Sequence, residues 1–360
     1  MTDSPWIADT PDDAQAGTPA SFRARINSIK LRDASGIRTP WPGVTAIVGG
    51  NNVGKSTVLR NTRDYLSVPV GQQLSGWRLV DDVDLERVGN SGDMISWLGK
   101  HAEYLQKGNQ YGFQSVNTQV MRPRDAVHAW KNTSSCGLGP LANFVLYYAD
   151  ASGRLTLADS AEQRDDIGDP PTHPLHHLQD SEELLEEITD LAMEIFKQPL
   201  TLDRLSKKIS LRVGGVTVET PKVDAVTAEY REALRELPHL HDQGDGMRSL
   251  LGLLLPLISA THQVVLVDEP EAFLHPPQAR ALGSALARLA KQRQLQVIVA
   301  THDRNIVSGL LKAENVDVSV ARLSRSENTT QSHQLDANNL RAIWGDPVLR
   351  YSNALDGLFH

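Results

Sequence analysis

The fold is decided by the stretch VTAIVGGNNVGKSTVLR, which runs from Val44 to Arg60 of a 360-residue chain. Its first part, Thr45–Val48, is largely apolar and rich in β-branched residues, which predicts a buried strand. The residues that follow, Gly49–Ser56, match the G-x-x-x-x-G-K-[ST] phosphate loop in full. The glycines allow the backbone to curl tightly, so that successive N–H groups point at one anion. The stretch therefore predicts a nucleotide-binding strand, loop and helix.

The residues predicted to bind the phosphates form one continuous run: Gly49, Gly50, Asn51, Asn52, Val53, Gly54, Lys55, Ser56 and Thr57. Lys55 is expected to reach the β- and γ-phosphates, and the Ser56 hydroxyl to hold Mg²⁺. The helix that follows points its positive end at the phosphates. The alternative is a glycine-rich turn that matches by chance, and the flanking strand and helix argue against it.

A second run, VVLVDEP from Val264 to Pro270, carries an acidic pair at the end of an apolar strand. Ligands of open α/β sheets bind at the carboxyl ends of the strands. We therefore predict that Asp268 holds Mg²⁺, directly or through water. Glu269 is predicted to orient or deprotonate the attacking water. In the alternative interpretation both carboxylates only cap a helix.

Two further stretches carry polar groups that suit a nucleotide. In VIVATHD, Val297–Asp303, an apolar strand ends in polar residues that include His302, whose neutral imidazole is predicted to contact the γ-phosphate and sense hydrolysis. A glycine-rich turn then precedes the apolar run Leu250–Leu255, and it predicts a second anion-ready helix N-terminus. One nucleotide needs one such cradle, so this turn is expected to cover the nucleotide of a neighbouring subunit. Its residues are Gln243, Gly244, Asp245 and Gly246.

Taken in order, these parts resemble ABC-type ATPases. The motifs GxNNxGKS, DEPEAFLHP and ATHD are similar to those of the RecF/SMC/OLD (overcoming lysogenisation defect) branch. The resemblance implies an α/β P-loop NTPase of the AAA type, an ABC-ATPase-like head with a mixed central sheet. It also implies an antiparallel N-terminal β-subdomain and a helical insertion. ATP is the nucleotide implied, and the guanine-reading Asn-Lys-x-Asp motif is absent.

The tail Leu349–Phe359 resembles the segment that joins an OLD-type ATPase to its TOPRIM nuclease. The resemblance therefore implies the ATPase head of an OLD-like nuclease system, with no TOPRIM domain within this chain. Such a chain is not expected to cut DNA by itself.

The chain departs from the ABC pattern at the signature, where a serine usually precedes the glycines. Gln243 stands at that position, and Asp245 separates Gly244 from Gly246. The register of the contact in trans therefore stays open. The identity of the glutamine that couples the nucleotide to the rest of such ATPases also stays open. The candidates are Gln110, Gln114 and Gln119.

Composition indicates a globular protein, since 40% of the residues are hydrophobic and 22% are charged. A net charge of −8 argues against a surface coated with phosphate-seeking cations, although a local basic patch is compatible with it. The single cysteine, Cys136, excludes an internal disulfide and favours a reducing cytoplasm. Apolar runs stay below the roughly 18 residues of a membrane helix, and the acidic N-terminus predicts no signal peptide. Candidates for the patch are Arg122, Arg124, Lys207, Lys208 and Arg212.

The expected organisation is a disordered leader over residues 1–21, which is rich in Pro, Asp and small residues. One ATPase head is expected over residues 22–360, with an insertion at about residues 75–240 between the phosphate loop and the signature. Within the insertion, Phe144–Tyr148 and Arg154–Leu157 are predicted to pair as a hairpin. Heptads sufficient for a long coiled-coil arm are absent, which argues against a complete SMC protein.

The favoured function is Mg²⁺-dependent ATP hydrolysis at composite sites of a head-to-head homodimer or higher oligomer. Its nucleotide state would switch a nuclease or other effector in anti-phage defence, an expectation that rests on the resemblance. One alternative is a RecF/SMC-like DNA-binding clamp in DNA repair. Another is an ABC transporter subunit, which requires an aromatic residue stacked on adenine ahead of the phosphate loop. Only Phe22 and Trp41 are available for that role.

Overall fold

The computed structural model of the chain describes residues 5–69, 71–72, 74–107, 110–115, 119–133, 137–166, 169, 171–218, 226–259, 262–326 and 329–345. The tail Leu349–Phe359 and Cys136, both used in the predictions above, lie outside these residues.

Strands and helices alternate along much of the chain. The strands are β1 (Arg23–Leu31), β2 (Gly36–Arg38), β3 (Gly43–Val48), β4 (Val80–Val88), β5 (Glu103–Lys107), β6 (Gln110–Gln114), β7 (Leu146–Ala149), β8 (Ala161–Glu162), β9 (Leu200–Asp203), β10 (Lys208–Val213), β11 (Val264–Asp268), β12 (Gln296–Thr301), β13 (Asp317–Ser326) and β14 (Thr329–Leu335). The helices are α1 (Lys55–Ser67), α2 (Ser91–His101), α3 (Pro123–Lys131), α4 (Ala142–Val145), α5 (Ala151–Leu157), α6 (Pro174–Asp180), α7 (Glu182–Phe196), α8 (Ala228–Glu236), α9 (Asp245–Ile258), α10 (Pro276–Gln292), α11 (Arg304–Lys312) and α12 (Ala337–Gly345).

The central sheet has the order β14-β13-β3-β12-β11-β7. The strands from β13 to β7 are parallel to their neighbours, and β14 pairs with β13 in the antiparallel sense. The predicted α/β fold with a mixed central sheet is therefore confirmed. The strand that precedes the phosphate loop, β3, lies beside β12, and β12 lies beside β11.

Both faces of the central sheet are covered, which explains why its strands are nearly continuous apolar runs. Val44, Val48 and Val267 pack on one face with α7, α9, α10 and α11. Ile47 and Leu266 pack on the opposite face with α1 and the N-terminal sheet. Alternate side chains of a strand point to opposite faces, so neighbours such as Ile47 and Val48 join different core clusters.

The N-terminal sheet has the order β2-β1-β4 and is antiparallel throughout, as predicted. Two glutamines join it to the central sheet. Gln296, fully buried at the start of β12, accepts from the Ile26 N–H at 2.8 Å and donates to the Ile26 carbonyl at 2.7 Å. Gln263 accepts from the Ala24 N–H at 2.7 Å. Side-chain amides thus replace the backbone bonds that a continuous sheet would supply.

The predicted insertion does not form a separate body, because it contributes β4 to the N-terminal sheet and β7 to the edge of the central sheet. The predicted hairpin within it is wrong. Residues 151–157 form α5, and β7 pairs in parallel with β11. Asp150 explains the difference, since its carboxylate accepts from the Gly153 N–H at 2.7 Å and caps α5.

Residues 5–21 also differ from the disordered leader that their composition predicts. They form three short 3-10 turns, at Ile7–Asp9, Asp12–Ala14 and Pro19–Ser21. Ala14 is fully buried, and the Thr18 N–H donates to the Asp93 carboxylate at 2.7 Å. Small residues allow this close packing against α2.

Within the described part of the chain, every helix is too short or too polar to cross a membrane.

Candidate nucleotide-binding site

Three strand ends meet at one edge of the central sheet. In the register of the sheet, Val48 of β3 lies opposite Thr301 of β12, and Ala300 lies opposite Asp268 of β11. The phosphate loop, His302 and Glu269 each follow one of these positions directly. The topology therefore brings together the three stretches that the sequence singled out, although about 250 residues separate the first from the last.

Two glycines of the phosphate loop have conformations and surroundings that exclude a side chain. Gly49 has φ +151°, and a Cβ there would lie 2.5 Å from the Leu323 carbonyl oxygen. Gly54 has φ +104°, and its Cβ would lie 2.7 Å from Leu79 Cδ2. The loop therefore needs glycine at both positions for its backbone path as well as for phosphate approach.

Helix α1 begins at Lys55 with no side chain capping its N-terminus, because Gly54 occupies the N-cap position. Its first backbone N–H groups are thus available to an anion. The Lys55 ammonium is buried and donates to the carbonyls of Gly49 at 2.9 Å and Gly50 at 2.8 Å. Burial lowers the pKa of Lys55, and the nearby carboxylates oppose that shift. A bound phosphate would give the Lys55 ammonium a negatively charged partner, whereas the two carbonyl oxygens carry only partial negative charge.

Ser56 and Asp268 meet in the way that a magnesium site requires. The Ser56 hydroxyl donates to Asp268 Oδ1 at 2.8 Å, and the Tyr148 hydroxyl donates to Oδ2 at 3.3 Å. Burial and the Asp268 carboxylate raise the pKa of Tyr148, which keeps this phenol a neutral donor. Adjacent oxygens around an octahedral Mg²⁺ lie roughly 3 Å apart. The hydroxyl and the carboxylate therefore fit Mg²⁺ in chemistry and in spacing.

Glu269 extends into the same cavity. Its backbone has φ +47°, an uncommon conformation for a residue with a Cβ, and its N–H donates to the Ala300 carbonyl at 2.9 Å. Its side chain is half exposed and lies 3.8 Å from His302 Nδ1. The carboxylate is thus accessible to solvent beside the Mg²⁺ candidate, as a water-activating base must be.

Glu271 orients His302, and the sequence interpretation missed it. One oxygen of this buried carboxylate accepts from the Thr301 hydroxyl at 2.7 Å and from the His302 N–H at 3.0 Å. The same oxygen lies 3.1 Å from His302 Nδ1. The hydrogen bond to Glu271 raises the pKa of His302. Glu271 is the last residue of DEPE and could have been predicted from that motif. The sequence interpretation used only the adjacent pair Asp268 and Glu269.

Arg154 is a second residue that the sequence interpretation missed. It is fully buried, and its guanidinium donates to the carbonyls of Asp268 and Glu269, each at 2.8 Å. Its Nε donates to the Ser249 hydroxyl of α9 at 3.2 Å. Arg154 thus fixes the backbone that carries both acids and links it to the helix behind the signature turn. The mistaken hairpin had placed this side chain on a strand.

The signature turn lies at the start of α9. Gly244 is its exposed N-cap residue, again without a side-chain cap, and the helix begins at Asp245. A Cβ on Gly246 would lie 2.5 Å from the Phe273 carbonyl oxygen, so the turn packs against the loop that follows Glu269. Gln243, Gly244, Asp245 and Gly246 are all absent from the lining of the phosphate-loop cavity in the described chain.

The cavity itself has a volume of about 830 Å³. The residues that line it come from the phosphate loop, from α1, from the carboxyl ends of β11 and β12, from the segment before β4 and from the β13–β14 hairpin. They include Lys55, Ser56, Glu269, His302, Trp77, Leu79, Arg325 and Thr330. Its size suits a nucleotide, since small-molecule sites occupy about 300–1,000 Å³.

Neither aromatic residue considered for adenine lies in this cavity. Phe22 is buried between Trp97 and Trp130, at ring distances of 5.0 and 4.6 Å. Trp41 stacks under the Arg23 guanidinium at 4.4 Å. The three glutamines proposed for coupling also lie elsewhere, on or shortly after β6: Gln110, Gln114 and Gln119.

Three of the five cations of the candidate basic patch form ion pairs, and one of these is Arg124, whose Nε lies 3.8 Å from Asp125 Oδ1. Arg212 is buried and contacts the Asp203 carboxylate at 2.8 Å, and Lys208 contacts Glu162 at 2.8 Å. These two ion pairs join neighbouring strands of the β8-β10-β9 sheet. Two other candidates lie at the start of α3: Arg122 and Arg124.

Fold and site together define the class: the chain has the fold of a P-loop ATPase head of the ABC type. The family described as "AAA domain, putative AbiEii toxin, Type IV TA system" matches residues 107–308, more than half of the chain. The chain belongs to this AAA-domain family. The match contains Asp268, Glu269, His302 and the signature turn, and it begins after the phosphate loop. No curated protein matches the chain.

One of the solved structures that align with the chain supports the fold. A crystal structure of an SMC head bound to the C-winged helix domain of ScpA aligns with TM-score 0.51 at 12% identity, over 88% of this chain and 99% of that one. The SMC head from Thermotoga maritima aligns with TM-score 0.42 at 14% identity, over 87% and 99%. CbiO1 of the Clostridium perfringens transporter complex cbiONQ aligns with TM-score 0.41 at 14% identity, over 93% and 99%. The OLD-like branch stays a prediction.

Proposed function

We propose that residues 22–360 act as one head that hydrolyses ATP in the presence of Mg²⁺, at composite sites formed by two copies of the chain. The observation that carries this proposal is the 2.8 Å contact between Ser56 and Asp268, at the N-terminus of the phosphate-loop helix. Glu269 and His302 line the same cavity. Phosphoryl transfer needs little covalent chemistry from the protein, so positioning and charge stabilisation carry the catalysis.

Each residue has a distinct role in this proposal. The loop Gly49–Thr57 binds the phosphates through its N–H groups, and Lys55 turns from the loop carbonyls to the β- and γ-phosphates. Ser56 and Asp268 would hold Mg²⁺, which supplies positive charge to the phosphate oxygens when bound. Glu269 orients the attacking water and accepts its proton, while His302 donates a hydrogen bond to the γ-phosphate.

The position of the signature turn supports the proposed dimer. Gln243–Gly246 is exposed or half-exposed and lies outside its own cavity, so a second copy offers a partner for the uncapped N–H groups at the start of α9. Phe273, next to Gly246, is 57% exposed and has φ +70°. We propose that each copy covers the nucleotide of the other.

We further propose that the closed dimer switches an effector, of the TOPRIM nuclease type or another kind, supplied by another chain. The family description names a putative toxin of a type IV TA system, which supports a chain that works together with an effector. An SMC head in a solved structure binds a winged-helix domain of another protein, which supports a head of this fold as a docking platform. The proposed location is the cytoplasm.

The second candidate is a DNA-binding clamp of the RecF/SMC kind, favoured by the fold shared with an SMC head. Phosphate contacts make DNA affinity fall steeply with salt. Binding of duplex DNA only with Mg-ATP, independent of sequence and lost at high salt, would support the clamp.

Phosphate release by the purified chain tests the proposed activity. The wild-type protein should hydrolyse ATP only with Mg²⁺. Glu269→Gln should bind ATP and hydrolyse it at least about 100-fold more slowly, and Lys55→Ala should lose nucleotide retention. Hydrolysis by Glu269→Gln at the wild-type rate would contradict the role of Glu269. Unchanged retention in Lys55→Ala would contradict the phosphate loop.

A further inference from the structure

A second cavity, called the β7 cavity below, lies beside β7, the edge strand of the central sheet. Its volume is about 470 Å³, which is within the range of small-molecule sites. Its wall is formed by β7, by α4, α5 and α6, by the end of α9 and by His262 ahead of β11. The described residues that line it are all different from those that line the phosphate-loop cavity. The proposed nucleotide site therefore does not account for it.

The wall of the β7 cavity is uncharged. Among the described residues that line it there is no Asp, Glu, Lys or Arg. Burial lowers the pKa of His173 and of His262 to about 4, and it also lowers the pKa of His177. Burial raises the pKa of the Tyr147 and Tyr148 phenols. These five rings are therefore neutral near neutral pH, and a charged ligand would lose its hydration without gaining a counter-ion.

The same five rings give the β7 cavity flat surfaces. Tyr147 and His262 pack against each other with their ring centroids 5.4 Å apart. Aliphatic side chains add apolar surface to the wall: Leu146, Leu157, Pro174 and Pro256. Flat aromatic rings pack favourably against other flat rings. The cavity therefore suits a planar and largely apolar molecule.

One polar atom of the wall has no partner. Nε2 of His177 is buried and makes no hydrogen bond to any described residue. Buried polar groups are nearly always paired, and an unpaired one is unfavourable. A neutral imidazole can carry its hydrogen on Nδ1 and accept a hydrogen bond at Nε2. A ligand with an N–H or O–H group would satisfy this nitrogen.

We infer that the β7 cavity binds an uncharged planar aromatic molecule, which donates a hydrogen bond to His177, and that its occupancy acts on the nucleotide site. Tyr148 connects the two sites, because it lines the β7 cavity and its hydroxyl donates to Asp268 Oδ2 at 3.3 Å. A ligand that moves Tyr148 alters the surroundings of the carboxylate proposed to hold Mg²⁺. The binding site stands independently of the proposed function, whereas the effect on hydrolysis rests on it.

Calorimetric titration with three related ligands tests the binding site. Indole is uncharged, planar and carries one N–H donor. The second ligand, 1-methylindole, lacks that donor, and the third, indole-3-acetate, adds a negative charge. Thr156→Trp places a bulky ring at an exposed position of α5 that lines the cavity, and His177→Leu removes the unpaired nitrogen. Ala228→Trp is the matched control, because Ala228 is exposed on α8 and does not line the cavity.

Indole should bind the wild type at least about tenfold more tightly than indole-3-acetate. Thr156→Trp should weaken indole binding at least about tenfold, because its ring takes the space of the ligand, and Ala228→Trp should match the wild type. His177→Leu should weaken indole binding between about twofold and tenfold and leave the affinity for 1-methylindole unchanged.

Three results would overturn the binding site. They are no binding of indole by the wild type, equal affinities for indole and indole-3-acetate, and indole binding that is unchanged in Thr156→Trp. An equal loss of affinity for indole and 1-methylindole in His177→Leu would overturn the hydrogen bond to His177.

Phosphate release from Mg-ATP tests the connection to the nucleotide site. Saturating indole should change the rate of the wild type at least about twofold and leave the rate of Thr156→Trp unchanged. Tyr148→Phe, which keeps the ring and removes the hydroxyl, should bind indole within about twofold of the wild type and lose the response. A wild-type rate that indole does not alter would overturn the connection, and a full response in Tyr148→Phe would overturn the role of Tyr148. If the wild type binds indole as expected but hydrolyses no ATP, the proposed function falls and the β7 site is supported.

Discussion

The carboxylate of Glu271 holds the imidazole of His302, with Oε1 3.1 Å from Nδ1. The contact uses Nδ1 and leaves Nε2 as the ring nitrogen that can meet a ligand in the cavity. When the ring is neutral and its hydrogen is on Nδ1, Nε2 carries a lone pair, which repels a phosphate oxygen. Only the protonated ring donates from both nitrogens. Glu271 therefore sets the charge on which a γ-phosphate contact by His302 depends.

The preference for ATP over ADP should fall as pH rises. The Glu271 hydrogen bond raises the pKa of His302 above its usual 6.5. Below that raised pKa the imidazolium donates to the γ-phosphate, and above it the donor is lost. Affinities for ATP and ADP measured by calorimetry from about pH 6 to pH 9 check this expectation. A preference that does not change with pH would contradict it.

Glu271→Gln should move this transition to lower pH, because the amide lacks the charge that favours the imidazolium. His302→Gln serves as the control, since it should abolish the transition. The imidazole resonance of His302 in an NMR titration reports its pKa independently of nucleotide. A His302 pKa that is equal in Glu271→Gln and wild type would show that Glu271 does not set it.

Ser56→Ala should reduce the gain in ATP affinity that Mg²⁺ provides. The change removes the hydroxyl that lies 2.8 Å from Asp268 and leaves the carboxylate in place. We expect the affinity ratio between Mg²⁺ and EDTA buffers to fall by about tenfold. Tyr148→Phe is the matched control, because it removes only the weaker 3.3 Å bond to the same carboxylate. An unchanged ratio in Ser56→Ala would exclude Ser56 as a ligand.

Arg154→Met should lower the free energy of unfolding by about 3–5 kcal/mol. Hydrogen bonds from a charged donor contribute about 1.5–3 kcal/mol each, and this variant leaves two buried carbonyls unsatisfied. Ser249→Ala, which removes only the bond to α9, should cost about 1 kcal/mol. Urea denaturation followed by circular dichroism gives both values. Stability of Arg154→Met equal to wild type would contradict the role given to Arg154.

Gly244→Asp should block assembly while sparing the single subunit. Gly244 has no atom within 4 Å of where a Cβ would lie and has φ −62°, so a side chain fits. In the composite site its carboxylate would face the partner's phosphates and repel them. We expect unchanged stability and ATP affinity, with hydrolysis lost.

Gly36→Asp is the control for charge alone, because Gly36 is exposed on β2 with only the Ile29 carbonyl, at 3.9 Å, near its would-be Cβ. It should hydrolyse ATP as the wild type does. Full activity in Gly244→Asp would remove the signature turn from the site.

The core of the site was predictable because its elements are local and strongly patterned. Thr45–Val48, Val264–Val267 and Val297–Ala300 are apolar runs that end in polar residues, and such runs become parallel strands buried on both faces. Because parallel strands share one carboxyl edge, Lys55, Asp268 and His302 had to converge. The mixed sheet and the antiparallel N-terminal sheet came from the family resemblance.

The missed parts depend on contacts that are distant in sequence. Arg154 follows an Asp-Ala-Ser-Gly run that suits a hairpin turn and a helix cap equally well, and pairing of β7 with β11 selects the cap. The leader has a composition typical of disorder, yet α2 offers it a surface with small residues. Trp77 begins a run, Trp77–Val83, that suits a strand, but this pattern does not indicate that the ring lines the cavity, which only the structure shows.

The mass of the Glu269→Gln protein in solution tests the central claim most directly. The variant should bind Mg-ATP without hydrolysing it and so hold two copies together. Light scattering after size exclusion in saturating Mg-ATP should give twice the 39.5 kDa mass of the chain, and the single mass without nucleotide. A protein that stays monomeric in saturating Mg-ATP would contradict the composite site.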